Sequence, residues 1–205
     1  MAARLAEGCA ALGLNPDASV RARLLDYLGE LGQWNRAYNL TAVRDPVAMV
    51  TLHLLDSLSV AAHLHGQRVI DVGSGAGLPG LVLALAEPQR HFTLLDANGK
   101  KAAFMRHALR RMALANVTVV QARAEDYGAA GGFDTVICRA FASVADMVRL
   151  SGHLCGPDGR LLAMKGRYPE QEVAEVPPSF RLLDSRRLYV PGLAAERHLL
   201  ILGRT

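Results

Sequence analysis

The sequence predicts an α/β fold: a doubly wound, mostly parallel sheet with an antiparallel C-terminal edge strand, preceded by a helical extension. From residue 68 onward, short apolar runs alternate with longer windows of helical period. Repeated strand–helix–strand units of this kind build a parallel sheet with right-handed crossovers. The first apolar run leads into a glycine-rich turn, VIDVGSGAGLPG at 69–80. Hydrophobic residues make up 51% of the 205, which is enough for the buried core of such a domain.

The helical extension is predicted over residues 1–64. Apolar residues recur at helical spacing within the segment 20–36, and they are Leu24, Tyr27, Leu28, Leu31 and Trp34. This spacing indicates an amphipathic helix. Asp45 and Pro46 then give an acidic N-cap followed by proline at the first helical position, the favoured order at a helix start. They predict a second helix that runs to about residue 64.

Residues 65–205 are predicted to form one compact sheet domain. Five apolar runs have strand length, at 68–72, 91–96, 117–122, 134–138 and 159–166. The windows between them have helical period, at 78–87, 98–114 and 143–154. After a Pro/Glu-rich connection at 168–178, two further strands are predicted at 181–190 and 197–204. No helical pattern separates these two, so we expect them to pair in antiparallel fashion.

Composition narrows the class of protein. The three cysteines have no paired spacing, which argues against a disulfide framework or a zinc site and favours a reducing cytoplasm. His63 and His65 have no nearby third ligand, so we expect no metal. No apolar run approaches the ~20 residues of a membrane span, so we expect no membrane association. The sequence has no coiled-coil pattern, and we expect a monomer.

The glycine turn points to a cofactor. Its glycines fall at 73, 75, 77 and 80, and Leu78 stands where the dinucleotide pattern needs glycine. No Gly-Lys-Ser/Thr follows, which excludes a P-loop. The form G-x-G-x-G preceded by Asp71 resembles motif I of the Rossmann-like class I S-adenosylmethionine methyltransferases. The resemblance implies S-adenosylmethionine as cofactor, with Asp71, Gly73, Gly75, Gly77 and Leu78 as candidate contacts.

The next two strand ends support an adenosine ligand. Asp96 lies about twenty residues past the glycines, where a carboxylate accepts the ribose hydroxyls. NAD-binding folds share this acid, so an NAD-dependent oxidoreductase remains an alternative, disfavoured by Leu78. After the third strand, Ala124 and Glu125 occupy the place where similar methyltransferases hold the adenine.

The end of the fourth strand bears on the acceptor. Its sequence, FDTVICRAFAS at 133–143, lacks the Asn/Asp-Pro-Pro-aromatic segment of enzymes that methylate exocyclic amines. It also lacks the arrangement of a nucleophilic cysteine, so Cys138 is interpreted as a small buried strand residue. An acceptor such as guanine N7 already carries a free lone pair, so catalysis there needs alignment and no general base. Arg139 is the candidate positioning cation, because guanidinium stays protonated.

Several blocks together resemble one family across nearly the whole chain. They are WNRAYNLTAVRDP (34–46), HLLDSLSV (53–60), DVGSGAGLPG (71–80), LLDANGKKAAFM (94–105), RAEDY (123–127), CRAFASVADMV (138–148) and MKG (164–166). In this order they resemble the RsmG (GidB) family of bacterial methyltransferases. The resemblance implies methylation of guanine N7 in 16S ribosomal RNA of the small subunit. It also implies cofactor contacts from Gly73, Leu78, Ala124, Glu125 and Arg139.

Charge and position suggest RNA contacts. Residues 97–123 carry six Lys/Arg and no acid, a local basic surface that favours a polyanionic partner. The RNA-binding candidates are Asn39, Arg44, Lys100, Arg106, Arg110, Arg111, Arg123 and Lys165. His53 and Asp56 are more consistent with a hydrogen bond that stabilises the N-terminal helices than with a catalytic dyad. A ribosome-assembly factor that binds RNA on this scaffold without turnover is the alternative function.

Overall fold

The N-terminal helices cover one face of the sheet, and the computed structural model describes residues 1–139 and 143–205 of the chain. The helices are α1 (Ala2–Ala11), α2 (Ala18–Tyr38), α3 (Pro46–Met49), a π-helical segment (Val50–Leu55), α4 (Asp56–Leu58) and a 3-10 turn (Ala61–His63). The start predicted at Asp45 is confirmed, because its side chain accepts from the backbone N–H of Val47 and of Ala48.

The second helix, predicted to run to about residue 64, starts at Pro46 as predicted, has π-helical geometry over Val50–Leu55 and ends at Leu58. An apolar pattern indicates which face is buried, and it does not specify whether each N–H bonds four or five residues back. Single π turns are frequently found at functional sites.

The sheet has seven strands: β1 (Arg68–Val72), β2 (His91–Leu95), β3 (Val117–Val120), β4 (Phe133–Arg139), β5 (Cys155–Lys165), β6 (Phe180–Arg187) and β7 (His198–Arg204). Their order is β3-β2-β1-β4-β5-β7-β6. All pairs are parallel except those of β7, which is antiparallel to both β5 and β6. The predicted fold class and the antiparallel pair at the C-terminal edge are confirmed. The strand order reverses beside β1, where ligands bind in open α/β sheets.

The connections carry α5 (Gly80–Ala86), α6 (Gly99–Arg111), α7 (Val144–Ser151), a 3-10 turn (Gly152–Leu154) and α8 (Glu170–Ala174). Asn98 caps α6 by accepting from the backbone N–H of Lys100 and Lys101, and Ser143 caps α7. The Pro/Glu-rich connection contains the short helix α8, which the sequence pattern does not indicate. With no buried residue, α8 has no apolar period from which to predict it.

Two apolar clusters fill the two faces of the sheet. The larger joins α1 and α2 to α5 and α6, with Leu5, Tyr27, Leu81 and Phe104 fully buried. The smaller lies under α7. Residues on both sides of position 64 contribute to the larger cluster, and the domain boundary itself stays a prediction. Within the described residues, no helix combines the length and the apolar character required to cross a membrane.

Candidate functional site

The glycine turn at the end of β1 needs glycine for its backbone conformation. Gly73, Gly75 and Gly77 have φ of 72°, 60° and 85°, a region that side chains rarely adopt. A Cβ at Gly77 would lie 2.3 Å from Leu81 Cδ1. The turn is tied to β2, because the backbone N–H of Gly73 donates to the Leu95 carbonyl at 2.8 Å. The turn is therefore held in one conformation beside the neighbouring strand.

Asp96 fixes the same turn from the end of β2. Its carboxylate is buried, and it accepts from the backbone N–H of Gly75 at 2.9 Å and of Asn98 at 2.8 Å. Lys101 Nζ lies 3.8 Å from it. A carboxylate offers about four lone-pair sites, so acceptor capacity remains for a ligand hydroxyl.

A cavity of about 300 Å³ lies between these elements and α7. Its lining comprises Val72, Gly73, Leu95, Asp96, Ala97, Ala122, Arg123, Ala124, Glu125 and Leu150. Aliphatic walls with carboxylates nearby suit a flat heterocycle joined to a hydroxylated sugar. Four predicted cofactor residues, Gly73, Asp96, Ala124 and Glu125, thus line one cavity. Arg123, predicted to contact RNA, lines this cavity as well.

Asp71 and Leu78 do not line that cavity. Asp71 is fully buried, with one carboxylate oxygen accepting from Gly80 N–H at 2.8 Å. Its other oxygen has no hydrogen-bond partner among the described residues. Burial raises the pKa of Asp71 to about 7, opposed by the Gly80 hydrogen bond and the Arg139 charge. Leu78 is buried, and its N–H donates to the Ser74 carbonyl.

Gly75 and Gly77 also lie outside the lining of this cavity. Asp71 and Leu78 instead make hydrogen bonds within the turn, through the Gly80 N–H and the Ser74 carbonyl. The cofactor contacts predicted for these four residues stay predictions.

Tyr27 of α2 supports the turn from beneath, and sequence reasoning missed this role. Its buried hydroxyl donates to the Ala76 carbonyl at 2.8 Å. The residue belongs to the apolar stripe of α2, so its pattern indicates core packing alone. A buried tyrosine needs a partner for its hydroxyl, and that requirement was the available signal.

A second cavity of about 510 Å³ lies on the other side of the sheet, against the N-terminal helices. Its lining comprises Val43, Leu52, His53, Asp56, Arg139, Met164, Lys165, Gly166 and Arg197. Arg139 and Lys165 end neighbouring strands, with Arg139 paired in register to Met164. Arg139 also ends the strand beside β1, so the glycine turn and this cavity meet at one edge of the sheet. The cofactor contact predicted for Arg139 stays a prediction.

Asp56 holds two arginines at this second cavity. Its carboxylate, with the side chain 3% exposed, accepts from Arg139 Nη1 at 3.3 Å and from Arg197 Nε at 2.7 Å. Arg139 also donates to the Leu52 carbonyl at 3.4 Å. Sequence reasoning missed Arg197, because the 141 positions that separate it from Asp56 leave no local pattern.

The hydrogen bond expected between His53 and Asp56 is wrong. His53 Nε2 instead lies 3.0 Å from the Thr41 hydroxyl. The i, i+3 spacing assumes α-helical geometry, whereas His53 lies in the π-helical segment. Burial lowers the pKa of His53, with Leu52 and Asp56 partly opposing the shift, so the imidazole is neutral near pH 7.

Lys165 is tied to the connection that precedes β6. Its ammonium donates to Glu172 at 2.7 Å, and the same carboxylate oxygen accepts from Val144 N–H at 2.8 Å. Glu172 therefore joins α8, the start of α7 and the end of β5. The predicted RNA contact of Lys165 stays a prediction.

The basic face of α6 is partly neutralised by another element. Lys100, Arg106 and Arg110 are exposed, whereas Arg111 donates to Glu30 of α2 at 3.1 Å. The segment 97–123 contains no acid, so its sequence alone does not reveal this partner.

Two further RNA-binding candidates, Asn39 and Arg44, lie at the end of α2 and in the loop that follows it. Arg44 donates to the side-chain oxygen of Asn39 at 3.3 Å, and both residues are exposed. Asn39 ends α2 in a left-handed conformation, with φ of 50°. Their predicted RNA contacts also stay predictions.

Two features of the fourth strand complete the site. Cys138 is buried as predicted, and burial raises the pKa of its thiol well above the usual value, so the nucleophilic thiolate is disfavoured. Ala140, Phe141 and Ala142 of the R-A-F-A-S block lie outside the described residues.

Within the residues described, no group of three or more His, Cys, Asp or Glu side chains could hold a metal ion.

Comparison with known proteins gives a family match, two close relatives and one similar solved structure. Residues 21–200 match a family model named GidB, described as rRNA small subunit methyltransferase G. A protein of that name from Chromohalobacter salexigens is 54% identical over 98% of this chain and 97% of its own length. Another from Nitrosospira multiformis is 50% identical over 99% and 97%. The crystal structure of a SAM-dependent methyltransferase from Aquifex aeolicus has a TM-score of 0.59 at 15% identity, covering 77% of this chain and 93% of that one.

Proposed function

The chain belongs to the GidB family, rRNA small subunit methyltransferase G, and from this premise we propose its reaction. It transfers the methyl group of S-adenosylmethionine to N7 of a guanine in 16S ribosomal RNA. The observation that carries the proposal is the place of Arg139: a guanidinium at the end of β4, beside the glycine turn and on the wall of the larger cavity. We expect the reaction in the cytoplasm, by a monomer, on the small ribosomal subunit or its RNA.

The residues of the smaller cavity fit the cofactor. Asp96 has the acceptor capacity for ribose hydroxyls, and Glu125 can accept from an exocyclic amine. S-adenosylmethionine, when bound, supplies a methyl group on a positively charged sulfur. The chain's part is to hold that group fixed against the acceptor cavity.

The acceptor side needs alignment rather than proton transfer. Guanine N7 has an in-plane lone pair and no proton to lose, so the catalytic contribution is proximity and orientation. Arg139 stays protonated and can donate to a base edge or a phosphate. Asp71, whose pKa is near 7, is fully buried and bonded to Gly80, a position that supports a structural role over a general base.

The decisive experiment incubates the purified protein with labelled S-adenosylmethionine and small subunits that lack the modification. Digestion to nucleosides and mass spectrometry should then find 7-methylguanosine. Arg139→Ala should slow formation of the product by about 10²- to 10³-fold. Arg149→Ala is the matched control, because Arg149 pairs with Asp146 on α7, outside the lining of both cavities.

The alternative outcomes identify other functions. Cofactor and RNA binding without transfer would support the non-catalytic assembly factor. Calorimetric titration that detects NAD and no S-adenosylmethionine would contradict the proposed cofactor and support an oxidoreductase.

A further inference from the structure

Arg197 lies just before β7 and is a wall residue of the larger cavity. Its side chain is 24% exposed. Its Nε donates to the Asp56 carboxylate at 2.7 Å, and its Nη1 donates to the Glu196 carbonyl at 2.9 Å. The Nη2 group has no hydrogen-bond partner among the described residues. A guanidinium has five N–H donors in a fixed plane, so fixing the Nε edge on Asp56 also fixes the direction of the remaining donors.

The charges around this cavity do not balance. Arg139, Arg197 and Lys165 bring three positive charges, and Asp56 and Glu172, their partners, bring two negative ones. His53 is neutral because burial lowers its pKa. At this partly buried site the basic side chains therefore outnumber by one the carboxylates that they contact.

A phosphodiester, which carries one negative charge, is complementary to this group of basic side chains. The Asp56 side chain is 3% exposed, and each of its carboxylate oxygens bonds one arginine. Asp56 therefore holds the two guanidinium groups in place. Arginine is suited to phosphate because its planar fork offers paired donors to two phosphate oxygens. Held by Asp56, Arg197 presents its remaining N–H donors to the cavity that Arg139 also lines.

We propose that Arg197, held by the Asp56 carboxylate that also bonds Arg139, binds the phosphodiester group of the RNA nucleotide that enters the larger cavity. Asp56 is then a positioning residue for both guanidinium groups. The inference rests on the proposed function and names the phosphate-binding part of its acceptor site.

One other anion has the same chemistry, the carboxylate of the methionine part of the cofactor. RNA is favoured because Arg197 is absent from the lining of the smaller cavity, where Gly73, Asp96 and Glu125 lie. The two sources are separated by measuring the two affinities independently.

The test compares Arg197→Gln with the matched control Arg149→Gln. Binding of a fluorescent single-stranded RNA carrying the target guanine and its flanking sequence is measured by anisotropy at several salt concentrations. Arg197→Gln should weaken RNA binding about tenfold, and the slope of log affinity against log salt should fall in magnitude by about 0.7. Arg149→Gln should change neither, and calorimetry should give the same S-adenosylmethionine affinity for all three proteins.

A second variant covers the case in which Arg197→Gln does not fold. Arg197→Lys keeps the charge but not the fork, so it should keep the salt slope while weakening RNA binding severalfold. These assays need no turnover, so they are independent of whether 7-methylguanosine forms.

Three results would overturn the assignment. The first is an unchanged RNA affinity and salt slope in Arg197→Gln. The second is loss of cofactor affinity instead, which would assign Arg197 to the cofactor carboxylate. The third is failure of the unsubstituted protein to bind the RNA at low salt.

Discussion

The two cavities differ in how they are built. The smaller is made by backbone and aliphatic side chains at the ends of β1, β2 and β3, together with Asp96, Arg123 and Glu125, with α7 behind it. The larger is walled by charged side chains from the N-terminal helices, β4, β5 and the residue before β7. The smaller cavity suits a mostly neutral ring system joined to a sugar. The larger cavity suits an anion. The contrast indicates that cofactor binding and RNA binding should be separable by substitution.

The largest expected effect comes from the wall of the larger cavity. Arg139→Ala should lower the single-turnover rate of methyl transfer by about 10²- to 10³-fold, because alignment of the acceptor is lost. The affinity for S-adenosylmethionine, measured by calorimetry, should change far less. Loss of cofactor binding equal to the loss of rate would contradict the division between the two cavities.

The next effect concerns the acid beneath the turn. Asp71 has a pKa of about 7 when folded, against an ordinary 3.8. Folding therefore favours its protonated form, and its contribution is lost as pH rises from about 4 through 7. Relative to Asp71→Asn, which still accepts from Gly80, the natural protein should lose at most about 4 kcal/mol over this range.

Denaturant unfolding at pH 4, 5.5 and 7 measures this difference. Asp158→Asn, at an exposed position in β5, is the control and should show no such trend. If the difference in free energy of unfolding between the natural protein and Asp71→Asn is the same at all three pH values, Asp71 is not a buried neutral acid.

The glycine turn allows a matched pair of substitutions. Gly77→Ala places a Cβ 2.3 Å from Leu81 Cδ1 at a φ of 85°, whereas Gly75→Ala, at 60°, meets only the Gly73 carbonyl at 3.9 Å. Overpacking and backbone strain together should cost about 3 kcal/mol at Gly77, and strain alone about 1 kcal/mol at Gly75. Urea unfolding gives both values, and equal losses would mean that packing against α5 does not set the turn.

The smallest effect concerns the support from α2. Tyr27→Phe removes the donor to the Ala76 carbonyl and should lower the free energy of unfolding by about 1–2 kcal/mol. Tyr38→Phe, at a side chain that is 45% exposed, should change it by less than about 0.5 kcal/mol. If both variants lose the same free energy of unfolding, the Tyr27 hydroxyl on α2 does not hold the turn.

Sequence reasoning predicts the smaller cavity better than the larger. The strands, the turn and Asp96 follow from period, glycine spacing and strand ends, and these are local features. The role of Asp56 and the presence of Arg197 depend on a contact across 141 positions, and the partner of Arg111 lies on another helix. The π-helical segment has the same apolar pattern as an α-helix, so its altered geometry at His53 is not visible in the sequence.

The most direct test of the proposed chemistry locates the methyl group on the RNA. Small-subunit RNA treated with the protein and S-adenosylmethionine is reduced and cleaved chemically at 7-methylguanosine, and the break is mapped by primer extension. We expect one new cleavage, at a guanine, that is absent without the protein and strongly reduced with Arg139→Ala. A methyl group found on another atom or nucleoside, or no incorporation despite bound cofactor, would contradict it.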